Sequence, residues 1–195
     1  MPITDIRPIK TELRQKYRSL RQSMPPEIKE QKDEAIAAQV RRLWQYQRNS
    51  ILLIYVSTSI EVDTFRIIRQ ALEDGKRVAV PRCVPDTRLM EFYYIESLDD
   101  LKPGAFGVLE PAPDETKLLT DLTQGLCLVP ALCYDLEGFR LGYGKGYYDR
   151  FLCNYECSTI GLCYSVCTRF NLIHGKYDRR ADIVVTEKYV NRTYL

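Results

Sequence analysis

Two uninterrupted apolar runs, residues 51–56 and 126–132, constrain the fold of this chain more than any other feature. Neither alternates apolar with polar positions, so neither suits a strand with one face in water. Both suit parallel strands covered on two sides by helices. Around the first run a strand–helix–strand order can be followed. A polar loop, residues 57–61, leads to Asp63, a side chain suited to capping a helix over 64–74, and Gly75 stands at the usual stop position. Residues 77–80 resume as a strand that halts at Pro81, completing one βαβ unit. Residues 89–95 read as another strand, 97–101 as a short helical turn and 102–116 as a loop. Strands over 160–164 and 182–186 close the sheet. The pattern predicts an α/β chain of three layers, Rossmann-like, with a mainly parallel sheet flanked by helices.

Two helices precede this sheet. Leu13, Tyr17, Leu20 and Met24 recur at helical spacing, while Lys10, Arg14, Arg18 and Arg21 share another face. Such a basic row ordinarily reads as solvated, and that is the expectation for Arg18 and Arg21. The second helix follows Pro25-Pro26 from about residue 27 to 46, burying Ile36, Val40, Leu43 and Trp44.

With 195 residues and 45% hydrophobic content, the chain suffices for one substantial core, and a single domain over 1–195 is expected. The 28 basic residues barely exceed the 26 acidic ones, which argues against a nucleic-acid partner. No apolar run approaches the roughly twenty residues that span a bilayer, and the first residues lack a signal pattern, so a cytoplasmic protein without membrane contact is expected, with a monomer as the simplest state. The seven cysteines contain no C-x2-C pair, and their odd number suits reduced thiols better than a disulfide framework. His174, the only histidine, falls in a loop, so a Ser–His–Asp or Cys–His mechanism would have to use it.

The richest chemistry lies between Arg140 and Asp149. Gly142, Gly144 and Gly146 leave backbone N–H groups unshielded, Arg140 and Lys145 add positive charge, and Asp149 is placed to hold a Mg²⁺ against phosphate oxygens. The same stretch also reads as a glycine-rich surface loop joining a strand to a helix. In open α/β sheets ligands collect beyond the carboxyl ends of the strands. Glu61, Arg82, Cys83 and the glycine loop all follow strands, so one cleft can gather them.

Residues Val129-Pro130, Tyr134-Asp135 and the run from Gly138 through Leu152 resemble the signature of the 5-formyltetrahydrofolate cyclo-ligase family, also called 5,10-methenyltetrahydrofolate synthetases. Lys10-Thr11-Glu12-Leu13-Arg14 resembles the family's K-x-x-L-R, Glu61-Val62-Asp63-Thr64 its E-[VIL]-[DE]-T, and Asp182-Ile183-Val184-Val185-Thr186 its closing D-x-[VI]-[VI]-T. These segments keep the family's order across nearly the whole chain.

The resemblance implies an ATP- and Mg²⁺-dependent enzyme that converts 5-formyltetrahydrofolate to 5,10-methenyltetrahydrofolate, releasing ADP and phosphate. Lys10 and Arg14 would turn from solvated charges into triphosphate ligands. Arg140, Leu141, Gly142, Tyr143, Gly144, Lys145, Gly146, Tyr147 and Tyr148 would form the ATP cradle, with Lys145 and Arg140 stabilising charge during transfer. Asp149 and Asp182 would be the Mg²⁺ ligands, although the first also suits a helix cap and the second the start of a strand. Val56, Glu61, Phe106 and Tyr148 would meet the folate, each with plain packing or a loop position as its simpler role; Arg82 would lie near the glutamate tail. Two departures stand out: Tyr143 occupies a position where the family commonly has Arg, and Ile173 and Tyr177-Asp178 replace the usual Pro and His-Asp. Other readings are a different ATP-dependent ligase or kinase, which would lack a Walker sequence here, and a non-catalytic folate- or nucleotide-binding protein.

Overall fold

The computed structural model describes residues 5–193. Three helices come first: α1 (Arg7–Gln22), α2 (Pro26–Arg42) and the short α3 (Trp44–Arg48). Then follow β1 (Ile51–Ile54), α4 (Phe65–Glu73), β2 (Arg77–Cys83), β3 (Met90–Ile95), β4 (Leu101–Pro103), β5 (Leu109–Pro111) and β6 (Leu126–Pro130). The chain continues through β7 (Cys133–Asp135), β8 (Arg140–Leu141), α5 (Tyr147–Leu152), β9 (Thr159–Leu162), β10 (Thr168–Arg169), β11 (Ile183–Val185) and β12 (Val190–Arg192).

Seven strands form the central sheet in the order β12-β11-β9-β6-β1-β2-β3. The five inner strands run parallel, and β12 and β3 add antiparallel edges. Strand pleating divides the apolar runs between two cores. Leu52, Ile54, Leu126 and Leu128 pack with Ile36, Val40, Ile67 and Ile68 from α2 and α4 on one side. Ile51, Leu53, Cys127 and Val129 pack with Phe92, Phe151 and Tyr155 on the other. Burial on both faces is why the runs show no alternation. The three-layer α/β architecture is therefore as expected. No helix among the described residues is long and apolar enough to cross a membrane.

Local expectations fared unevenly. The Asp63 carboxylate accepts the Phe65 N–H at 2.9 Å at the start of α4, and Gly75 follows its end with φ +76°. The second helix does not reach residue 46 unbroken: Leu43 is extended, which turns Trp44 outward to 61% exposure while Leu43 stays buried. Nor does β2 stop at Pro81. Beyond Ala79 it pairs only with β3, so a residue without an N–H costs no hydrogen bond on the side that β1 has vacated. The loop over 102–116 contains the β4–β5 hairpin, and a small sheet, β10-β7-β8, intervenes between β6 and the glycine loop.

The largest correction concerns Arg21, which is 3% exposed rather than solvated. Its guanidinium donates to the carbonyls of Ala131 at 2.6 Å, Leu132 at 3.0 Å and Ile60 at 3.3 Å. Three carbonyl dipoles stand in for water around this buried charge. They also fasten α1 to the segment after β6 and to the loop after β1, which sets the basic face of α1 beside the carboxyl ends of the strands.

Candidate active site

A cavity of about 760 Å³ opens at those carboxyl ends. It gathers Lys10 and Arg14 from α1, Val56 and Glu61 from the loop after β1, Phe106 from the β4–β5 turn, and every residue from Arg140 to Asp149. Of the site residues expected from the sequence, Arg82 lies outside it, and so does Asp182. Its carboxylate accepts the Thr159 N–H at 2.7 Å and hydroxyl at 2.9 Å, holding β9 to the start of β11 beside a separate hollow. Those bonds fit the strand-start role, and they set Asp182 apart from the cavity that Asp149 lines. Arg82 also stays out of the cavity, its guanidinium donating to the Pro111 carbonyl at 2.7 Å, whereas Cys83 lines it. His174 stacks on Phe139 with ring centroids 3.6 Å apart and does not line the cavity.

The glycine loop is held from α1. Arg14 Nε donates to the Gly142 carbonyl at 2.9 Å, and Gly144, at φ +95°, packs so closely that a Cβ would sit 3.3 Å from Arg14 Cζ. Lys10 forms an ion pair with Asp178, whose Oδ2 also accepts the Gly175 N–H at 2.7 Å. Burial draws the Arg14 guanidinium below its ordinary pKa, while Asp178 opposes the shift and Arg18 adds to it. It remains a cation.

Arg140 behaves differently from a free phosphate ligand. Its side chain is 4% exposed and donates to Asp149 Oδ1 at 2.6 Å and to the Arg179 carbonyl at 2.6 Å. The Arg179 N–H also reaches Asp149 Oδ1 at 3.2 Å. One carboxylate oxygen is thus fixed, and Oδ2 takes no protein hydrogen bond among the described residues. Lys145, by contrast, is exposed to the cavity, with Nζ 5.3 Å above the Phe106 ring.

Glu61, which lines the same cavity, is 5% exposed, and Oε2 accepts from the Thr58 N–H at 2.7 Å and hydroxyl at 2.9 Å. Tyr143 lies between this carboxylate and α1, with Arg18 stacked 5.2 Å from its ring centre. Burial, and then the Glu61 charge, push the Tyr143 phenol far above its ordinary pKa. Burial does the same for Tyr148. The Tyr148 hydroxyl is buried without a protein hydrogen-bond partner among the described residues, so it is a donor left for a ligand, whereas the Tyr143 hydroxyl faces the Glu61 carboxylate. Arg18, expected as a solvated charge, Asp178, noted only as a departure from the family pattern, and Glu110, not singled out from the sequence, also line the cavity. The i, i+4 spacing of Arg18 from Arg14 was a usable signal; a lone Glu before Pro111 gave none.

Residues 6–187 match the model of the 5-formyltetrahydrofolate cyclo-ligase family. A probable 5-formyltetrahydrofolate cyclo-ligase of Caenorhabditis elegans is 33% identical over 156 residues, 75% of this chain and 73% of that protein. One of Schizosaccharomyces pombe is 33% identical over 125 residues, 63% of this chain and 61% of the relative, so that alignment spans under two thirds of the relative's length. The NMR structure of Aquifex aeolicus 5,10-methenyltetrahydrofolate synthetase superposes with a TM-score of 0.84 at 30% identity, covering 95% of this chain and 93% of that one. With the family match running through α1, the glycine loop and the last parallel strand, this chain belongs to the 5-formyltetrahydrofolate cyclo-ligase family of enzymes.

Proposed function

We propose that the chain cyclises 5-formyltetrahydrofolate to 5,10-methenyltetrahydrofolate at the expense of ATP, with Mg²⁺, releasing ADP and phosphate. The observation that carries this reading is the convergence of Lys10, Arg14 and Lys145, from two distant stretches of chain, on one cavity that Glu61 also lines. The formyl oxygen attacks the γ-phosphorus, ADP leaves, and the oxygen becomes part of a phosphate ester at N5. N10 then attacks the formyl carbon, the ring closes, and phosphate departs. An amide-like oxygen leaves poorly; a phosphate leaves well, so neither a nucleophilic side chain nor a histidine is needed.

Residue roles follow from position. Lys145 stands free to neutralise charge as it develops on the transferred group. Arg14 both shapes the glycine loop and adds charge beside it, and Lys10 does so next to Asp178. Asp149 and Asp178 both line the cavity, each with one oxygen that takes no protein hydrogen bond among the described residues, and a divalent ion that keeps most of its ligands as water and phosphate needs few carboxylates. These residues fit Mg²⁺, which when bound would offset charge on the phosphate oxygens. Arg140 orients Asp149. Glu61 accepts the N10 hydrogen and makes that nitrogen the better nucleophile. Val56, Phe106 and Tyr148 supply the apolar walls for the folate. One chain provides every group, so a monomer suffices, and seven unpaired thiols suit a reducing compartment such as the cytoplasm.

The test is the near-ultraviolet absorbance of the methenyl product. Its growth only when ATP and Mg²⁺ are both supplied is the expected result. Thermal stabilisation by folate and ATP without any turnover would instead mark a binding protein.

A further inference from the structure

We propose that Glu110 reads the amino-bearing edge of the pterin, which deepens the folate reading above and rests on it. Glu110 lies in β5, and its side chain, 7% exposed, lines the same cavity as the glycine loop. Oε1 accepts the Cys83 N–H at 3.1 Å, and Oε2 is 3.8 Å from Arg82 Nη1, whose hydrogen bond goes to the Pro111 carbonyl. The hairpin is shaped around this carboxylate: a Cβ on Gly104 would lie 2.6 Å from its carbon and from Oε2. Phe106, at the hairpin tip, adopts φ +57° and is 66% exposed, a conformation rare for an aromatic residue. Its ring centre lies 6.2 Å from that of Tyr147, the two planes tilted by 59°. The cavity thus has two aromatic rings, Phe106 and Tyr147, and a buried carboxylate in its lining.

A carboxylate only accepts, so it matches an edge with two adjacent N–H donors. The pterin offers such an edge in its 2-amino group and N3–H. Adenine places a ring-nitrogen acceptor beside its amino group, and that acceptor would face a carboxylate lone pair. The chemistry of Glu110 therefore selects the pterin over the adenine of ATP. Glu61, near Tyr143 and Arg18, is left for the N10 end of the folate. Glu110 is a specificity-determining residue in this scheme, absent from the bond-making steps.

The experiment compares 5-formyltetrahydrofolate with its 2-desamino-2-methyl analogue, which lacks one donor. For the wild-type chain, kcat/KM is expected to fall roughly 10- to 100-fold with the analogue, as for loss of a hydrogen bond to a charged group. Glu110→Gln keeps an acceptor for the Cys83 N–H but disrupts the two-donor match, and should shrink this ratio several-fold, mainly through KM. A second arm compares ATP with purine riboside triphosphate, which lacks the 6-amino group; that ratio should be the same in wild type and variant. Equal use of both folates by the wild type overturns the proposal without any variant. So does a Glu110→Gln effect confined to the nucleotide arm. If the wild type turns over neither folate, the cyclisation reading fails by itself. Calorimetric binding of the two folates then still decides the role of Glu110, equal affinities counting against it.

Discussion

Arg140 and Asp149 are joined by a 2.6 Å hydrogen bond across the glycine loop, so the guanidinium that looked free for phosphate is committed to orienting a carboxylate. The Arg179 carbonyl takes its other arm. Removing the orienter leaves Asp149 able to rotate, and such outer partners typically matter 10- to 100-fold in metal affinity. Arg140→Gln is expected to raise the Mg²⁺ concentration for half-maximal activity about 10-fold, measured by metal titration. An unchanged titration curve would return Arg140 to direct phosphate contact.

Asp182 offers the contrast. Its Oδ2 carries two bonds from Thr159, and its own N–H donates to the Thr159 hydroxyl at 3.0 Å. Asp182→Ala should lower unfolding free energy by about 1–3 kcal/mol, read by urea titration, while the Mg²⁺ requirement of the folded fraction stays as it was. A shifted metal requirement with intact stability reverses the assignment.

The proposed function gives Lys145 and Glu61, which line one cavity, different steps. Lys145→Ala should cut kcat by roughly 100-fold with little change in folate KM, in the range of losing one charge-stabilising donor. Glu61→Gln should lower kcat/KM for the folate by about 100-fold and leave the KM for ATP near its wild-type value. Steady-state kinetics in both substrates separates the two patterns, and negligible effects from both variants would remove these residues from the mechanism.

Gly144 tests how tightly α1 grips the loop. A methyl group there meets Arg14 Cζ at 3.3 Å, on a backbone at φ +95°. Gly144→Ala is expected to cost about 1–2 kcal/mol from the left-handed conformation alone and to raise the KM for ATP. Melting temperature and ATP saturation curves would register both effects; an unaltered KM would detach the loop from nucleotide binding.

A pH dependence follows from Glu187. Burial would raise its pKa, but the Lys32 ammonium and the Ser165 hydroxyl and N–H outweigh burial and hold it below the ordinary carboxylate value. A carboxylate depressed on folding contributes stability above its unfolded pKa and loses it as pH falls through the folded one. Glu187→Gln should therefore be less stable than wild type at pH 7, with the gap closing as the solution is acidified below about pH 4. Urea midpoints across that range give the comparison, and a constant gap would assign the effect to packing.

Much of this protein was legible before any tertiary structure. Both-sided burial leaves an unmistakable trace in runs such as 51–56, because each strand residue meets a core. The glycine loop, Glu61 and the basic turn at Lys10 and Arg14 were legible as local chemistry, and all line one cavity. The fates of Arg21, Arg140 and Asp182 were not. Whether a charged side chain faces a ligand, a carbonyl or another charge depends on partners more than a hundred residues away for Arg21 and 23 away for Asp182. Sequence sets which groups a residue can offer; long-range packing selects the partner, since a buried charge settles wherever carbonyls or counter-charges replace its lost water.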